Sequence, residues 1–121
     1  MATLRIVTSL NDSCCYRHYS VWANGQVYHF NESGAHCDSE EDFMRNRKIL
    51  RTQETTRTDS EVAAYYEANK NKRYHWFRYN CEHFARGAAF GREDSPTLRG
   101  YFTGAAIVAT IAAILFIIKR K

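Results

Sequence analysis

The stretch Tyr16-Arg17-His18-Tyr19-Ser20-Val21-Trp22-Ala23-Asn24-Gly25-Gln26-Val27-Tyr28-His29-Phe30 decides the fold. Two runs rich in aromatic and β-branched residues flank an Asn-Gly pair, and both residues of that pair tolerate the positive φ of a tight hairpin turn. The pattern predicts a β-hairpin. With Asn24-Gly25 at the turn, Ala23 lies opposite Gln26, Ser20 opposite His29, and His18 opposite position 31. Alternation along paired strands keeps 18, 20, 29 and 31 on one face, so His18 and His29 become diagonal neighbours. Taken alone, two histidines on a hairpin face are more often a solvated pair than a site.

Upstream, Leu4-Arg5-Ile6-Val7-Thr8 alternates as a short strand and Asn11-Asp12-Ser13 reads as a turn. Downstream, 31–42 is polar and loop-like, and Lys48-Ile49-Leu50-Arg51-Thr52 is a possible strand. Thr58 and Glu61 fit a capping box that opens a helix from Asp59 to about Asn69. The aromatic run from Tyr74 to Tyr79 reads as a further strand, and Glu82 to Phe90 as a helix stopped by Gly91.

Cys81 therefore falls at a strand-to-helix junction, in or just before the first helical turn. Unpaired N–H groups and the helix dipole there are expected to favour a thiolate and lower the thiol pKa. A small buried cysteine starting a core helix is the plainer alternative. A nucleophilic thiol also needs a base, and the base needs a partner that orients it. His18 as base and His29 as orienter supply both. His83 is a rival by proximity, but residues two apart on a helix do not face each other.

The chain has 121 residues and a formal net charge of +4, room for one domain with a mild preference for anionic surfaces. Basic residues are scattered, with no aromatic-plus-basic recognition motif, so nucleic acid is not an expected partner. The cysteines at 14, 15, 37 and 81 follow no disulfide framework. Cys14, Cys15, His36 and Cys37 lack the paired spacing of a metal site, so free thiols in a reducing compartment are expected, with no metal or cofactor.

Residues 92–99 read as a linker, 100–118 as an uncharged apolar span, and 119–121 as a basic tail. As a helix the span measures about 28 Å, close to one hydrocarbon core. Ala105, Ala109 and Ala113 recur every four residues, a weak signal for a homodimer contact through the helix. No signal-peptide pattern precedes the domain, so a C-terminal tail anchor is expected, with the domain facing the cytosol. The basic tail opposes that orientation slightly.

The box Tyr16-Arg17-His18-Tyr19-Ser20-Val21-Trp22, the segment Gly25-Gln26-Val27-Tyr28-His29-Phe30 and the later Asn80-Cys81-Glu82-His83-Phe84 resemble the lecithin:retinol acyltransferase (LRAT)-like family. Within it the likeness is to the small H-Ras-like suppressor phospholipase A/acyltransferases, which also end in an apolar span and basic residues. The resemblance implies an α+β, permuted papain-like (NlpC-type) fold over residues 1–91. In that fold an antiparallel sheet carries the histidines and packs on the nucleophile helix. It implies Cys81 as acyl-accepting nucleophile, His18 as general base, His29 as third member, and Asn80 and Tyr16 as supports of the oxyanion site. The chain departs from the family in lacking a Pro-Gly-Asp turn before the first strand and in a shorter stretch between His29 and Cys81. The expected activity takes an acyl group from a glycerophospholipid through a Cys S-acyl intermediate and passes it to water, an amine or a lyso-lipid. A cysteine amidase or peptidase, or a non-catalytic membrane adaptor retaining the fold, are the alternatives.

Overall fold

The computed structural model describes residues 1–11 and 16–120, without the side chains of Phe102 and Arg120. The turn read at Asn11-Asp12-Ser13 falls largely outside them, as do Cys14 and Cys15. The elements in chain order are β1 (Thr3–Ser9), β2 (His18–Ala23), β3 (Gln26–Asn31), β4 (Gly34–Ser39), α1 (Glu40–Phe43), β5 (Arg47–Glu54), α2 (Asp59–Asn69), α3 (Cys81–Phe90) and α4 (Pro96–Arg120). The fold is α+β: one five-stranded sheet in the order β4-β3-β2-β1-β5, with every neighbouring pair antiparallel.

The hairpin forms in the predicted register, with Ser20 opposite His29 and Ala23 opposite Gln26. Asn24 and Gly25 take φ of 57° and 71°, the double positive pair that matches the strands' twist. The predicted loop at 31–42 is instead a second hairpin. Asn31 pairs with Gly34 across a two-residue turn, and β4 runs back along β3. Its composition hides it, because a polar edge strand with one half-exposed face carries no apolar alternation.

The sheet separates two apolar layers. On one face Leu4, Ile6, Val21, Tyr28 and Phe30 pack with Val62 of α2 and with Phe84, Ala85, Ala88 and Ala89 of α3. On the other, Val7, Trp22, Val27 and Phe43 form a smaller cluster closed by the single turn of α1. Alternation explains the split, since Tyr19, Val21 and Ala23 point one way and His18, Ser20 and Trp22 the other.

Helix α2 starts at the predicted capping box, where the Thr58 hydroxyl accepts from Glu61 N–H and the Glu61 carboxylate accepts from Thr58 N–H. Helix α3 ends at Gly91, whose φ of 74° gives the left-handed stop. The aromatic run before it is not a strand. A single bridge between His75 and Tyr79 closes a tight turn, with both backbone bonds at 2.8 Å. Within it His75 Nδ1 accepts from the N–H groups of Phe77 and Arg78, a local side-chain cap that competes with extension into a ladder.

Helix α4 begins at Pro96, upstream of the predicted Gly100, with proline in its first turn and the Ser95 hydroxyl accepting from Leu98 N–H. It is long and apolar enough to cross a membrane, and its described side chains from Gly100 to Lys119 are exposed.

Candidate active site

Cys81 is the first residue of α3, directly after the N-cap Asn80. Asn80 Oδ1 accepts from the N–H groups of Glu82 and His83 at 2.9 and 3.2 Å, which satisfies two orphan donors of the first turn. His83 Nδ1 accepts from Asn80 N–H at 3.0 Å, so the histidine nearest in sequence to the thiol serves the cap. The Asn80 amide donates to the Trp76 carbonyl at 2.8 Å, tying the aromatic turn to the helix start.

The helix start does not lower the thiol pKa as the sequence suggested. Burial pushes the Cys81 thiol up, and the Glu82 carboxylate pushes the same way. The backbone N–H groups of Tyr19, Glu82 and Cys81 oppose this without prevailing. Dipole stabilisation of a thiolate loses to the cost of placing its charge among Tyr19, Tyr74 and the sheet. The resting sulfur is therefore a thiol.

The histidines come from the opposite face of the sheet. His18 and His29 are 3 % and 4 % exposed, and both rings pack on Phe43, with centroids at 6.1 and 4.8 Å. His18 Nε2 and His29 Nδ1 are 3.0 Å apart, the diagonal contact that the hairpin register predicts. His29 Nε2 in turn lies 2.6 Å from Asp38 Oδ2 on β4. Sequence reasoning does not reach Asp38, because the polar composition of β4 reads as loop; the Asn31-Glu32-Ser33-Gly34 turn is the signal that points to the strand.

This row of bonds sets the tautomers. A carboxylate only accepts, so His29 Nε2 carries the proton toward Asp38 and His29 Nδ1 accepts from His18 Nε2–H. His18 Nδ1 is left with its lone pair. Burial, with His29 and Arg47 alongside, holds the His18 imidazole far below its ordinary 6.5, at about 3. Burial also lowers His29, against the pull of Asp38. Both rings are neutral near pH 7, the form required of a base.

Thiol and imidazole meet at the end of the β2–β3 ladder. Both line one cleft of about 510 Å³ together with Tyr16, Phe30, Asn31 and Tyr74. No direct hydrogen bond joins Cys81 to His18 among the described residues. Tyr16 is half exposed and stacks on His18, with ring centroids at 6.2 Å and planes 8° apart. A second, larger cleft of about 710 Å³ meets Cys81 from its other side and runs to Leu98 and Tyr101 of α4.

Glu82 joins the two helices. Its carboxylate is 4 % exposed and accepts from the Ser95 hydroxyl, from Thr97 N–H and from the Thr97 hydroxyl, the last two at 3.3 Å. The foot of α4 is thus fastened one residue from the thiol. Comparison of the chain with models of protein families, with curated proteins and with solved structures returns no match.

Proposed function

We propose that this chain is a membrane-anchored thiol phospholipase A/acyltransferase built on a permuted papain-like plan. The resemblance of its His box and Asn-Cys-Glu-His-Phe segment to the LRAT-like family implies the same. The observation that carries the reading is the hydrogen-bonded row Asp38–His29–His18, which ends at a free imidazole nitrogen in the cleft that Cys81 lines.

In the proposed reaction Cys81 Sγ attacks an ester carbonyl of a glycerophospholipid while His18 Nδ1 takes the thiol proton. A neutral, partly buried thiol and a buried neutral imidazole make this transfer part of the attack, not a pre-formed ion pair. Protonated His18 is steadied by His29, whose proton points at Asp38. The backbone N–H groups of Tyr19 and Cys81, which reach the sulfur, are the donors proposed for the developing oxyanion. Asn80 and Tyr16 flank the two clefts as supports. Collapse of the tetrahedral intermediate expels the lyso-lipid alkoxide, which takes the proton from His18, and leaves the acyl group on Cys81. Water, an amine or a second lyso-lipid then attacks the thioester with His18 again as base. The apolar α4, rooted beside the nucleophile, favours a lipid ester over a peptide.

The test is intact-mass measurement after mixing the full chain with phospholipid in mixed micelles. An acyl adduct that hydroxylamine removes, absent from Cys81→Ser and present in Cys14→Ser, Cys15→Ser and Cys37→Ser, is the expected result. Absence of both adduct and acyl release, with turnover of peptides instead, selects the amidase alternative. Absence of any turnover selects the adaptor.

A further inference from the structure

Three residues at one end of the sheet lie in one row beside the nucleophile. Thr8 of β1 pairs directly with Lys48 of β5. Arg17 directly precedes β2, where the β1–β2 ladder ends at the Val7–His18 pair, so continuing that register by one residue sets it across from Thr8. Opposed residues share a face. Arg17, Thr8 and Lys48 therefore stand side by side on the face that carries α3, and all three line the 710 Å³ cleft with Cys81.

Each member is unusual for a row with no ligand. Two cations flanking one central strand repel, since their Cα atoms are only about 10 Å apart. Neither forms an ion pair among the described residues. Among the described residues the one acidic side chain lining the cleft is Glu82, and its oxygens are occupied by Ser95 and Thr97. Between the cations, Thr8 is 5 % exposed, yet its buried Oγ1 has no hydrogen-bond partner among the described residues. A buried hydroxyl without a partner is costly and calls for a missing group. Two cations and one free hydroxyl suit a tetrahedral oxyanion. The rest of the cleft supplies the complementary half of a lipid, because Leu50, Leu98 and Tyr101 carry its wall toward α4.

We infer that Arg17, Thr8 and Lys48 form a binding site for the phosphodiester of a membrane glycerophospholipid. Resting on the thioester reading above, it sets which esters Cys81 receives. The headgroup phosphate is held by the row, the acyl chain runs along Leu98 and Tyr101, and the ester carbonyl between them is presented to Sγ. A neutral diacylglycerol has the same esters but leaves the two cations and the hydroxyl unpaired, so the site discriminates against it.

The test uses the full chain carrying Cys81→Ser, in neutral detergent micelles, so that binding is read without turnover. The calorimetric probes are dihexanoyl phosphatidylmethanol, dihexanoylglycerol and inorganic phosphate. We expect phosphatidylmethanol to bind on the order of tenfold or more tightly than dihexanoylglycerol. Arg17→Gln and Lys48→Gln should each remove most of that preference while leaving dihexanoylglycerol binding in place. Thr8→Val should weaken phosphatidylmethanol binding with the melting temperature unchanged or raised, because it removes a partnerless hydroxyl at constant shape. A threonine that merely supports the sheet would lower the melting temperature instead. Equal affinity for the two lipids, equal weakening of both by the variants, or inorganic phosphate binding as tightly as phosphatidylmethanol would each overturn the inference. An acyl adduct on wild-type Cys81 alongside such a failure leaves the thioester reading standing. The expected lipid preference without any adduct removes the thioester reading and keeps the site.

Discussion

At the scale of single residues, the row Asp38–His29–His18 makes the three side chains unequal. Loss of the base by His18→Ala should lower kcat/KM by about 10²–10⁴-fold. His29→Ala should cost less, and Asp38→Asn least, on the order of tenfold, since an amide oxygen still accepts from His29. Equal losses for Asp38→Asn and His18→Ala in lipid hydrolysis assays would refute this order. The raised Cys81 thiol predicts that alkylation by iodoacetamide keeps accelerating above pH 9.0, the ordinary value, with no plateau near neutrality. A rate flat between pH 6 and 8 would mean a stabilised thiolate. Acid stability follows from the histidines. Their folded pKa values lie below the unfolded value, so the unfolded chain binds more protons as pH falls. Stability contributed by burying neutral His18 is complete above 6.5 and is lost as pH drops from there toward about 3. Melting temperature should decline through this window, and less steeply in His18→Gln.

At the scale of elements, the contact of α2 with α3 rests on a glycine. A Cβ at Gly87 would meet the hydroxyl and ring of Tyr65 and, at 2.9 Å, Cγ of Glu93. Tyr65 is fixed there by its hydroxyl, 2.7 Å from the Tyr79 hydroxyl and donating to Glu93 at 2.8 Å. Helix propensity alone says that Gly87→Ala gains about 1 kcal/mol. Steric displacement of Tyr65 costs about 1–3 kcal/mol and should win, so chemical denaturation should show a destabilised variant. The outer strands show a related contest. Strand β5 carries Arg47, Lys48 and Arg51 on a largely exposed edge, charges that discourage pairing with another chain. A one-residue bulge opposite Ile6 and Val7 absorbs Leu50 and keeps Lys48 in register with Thr8.

At the scale of the molecule, the core and α4 are separable. Both apolar clusters draw on residues no later than Phe90, and α4 is fastened mainly through Ser95 and Thr97. A chain ending at Arg99 should therefore fold with a melting temperature within a few degrees of the full chain. It should still release acyl groups from dispersed short-chain esters, more slowly for want of the Tyr101 wall, yet lose at least about tenfold beyond that on vesicles, because tethering supplies the effective concentration at the lipid surface. Equal vesicle activity for the two chains would show that α4 contributes no anchoring.

Local chemistry was enough for the elements whose causes are local. Asn24-Gly25 determined the hairpin and its register, and with them the contact of His18 with His29. Thr58 and Glu61 determined the start of α2, Gly91 the end of α3, and the uncharged run the apolar body of α4, though not its start at Pro96. What only the tertiary structure decided depends on partners distant in sequence. β4 exists because β3 offers it a ladder, and that pairing delivers Asp38 to His29. The aromatic run before Cys81 joins neither sheet edge because it closes on itself, through the His75–Tyr79 bridge and the local cap of His75. The thiol pKa changed direction because the cost of burial depends on what is packed around a group, whereas the helix dipole can be read from its position in the chain. The row of Arg17, Thr8 and Lys48 is assembled from β1, β5 and the residue that enters β2, and no spacing along the chain encodes it.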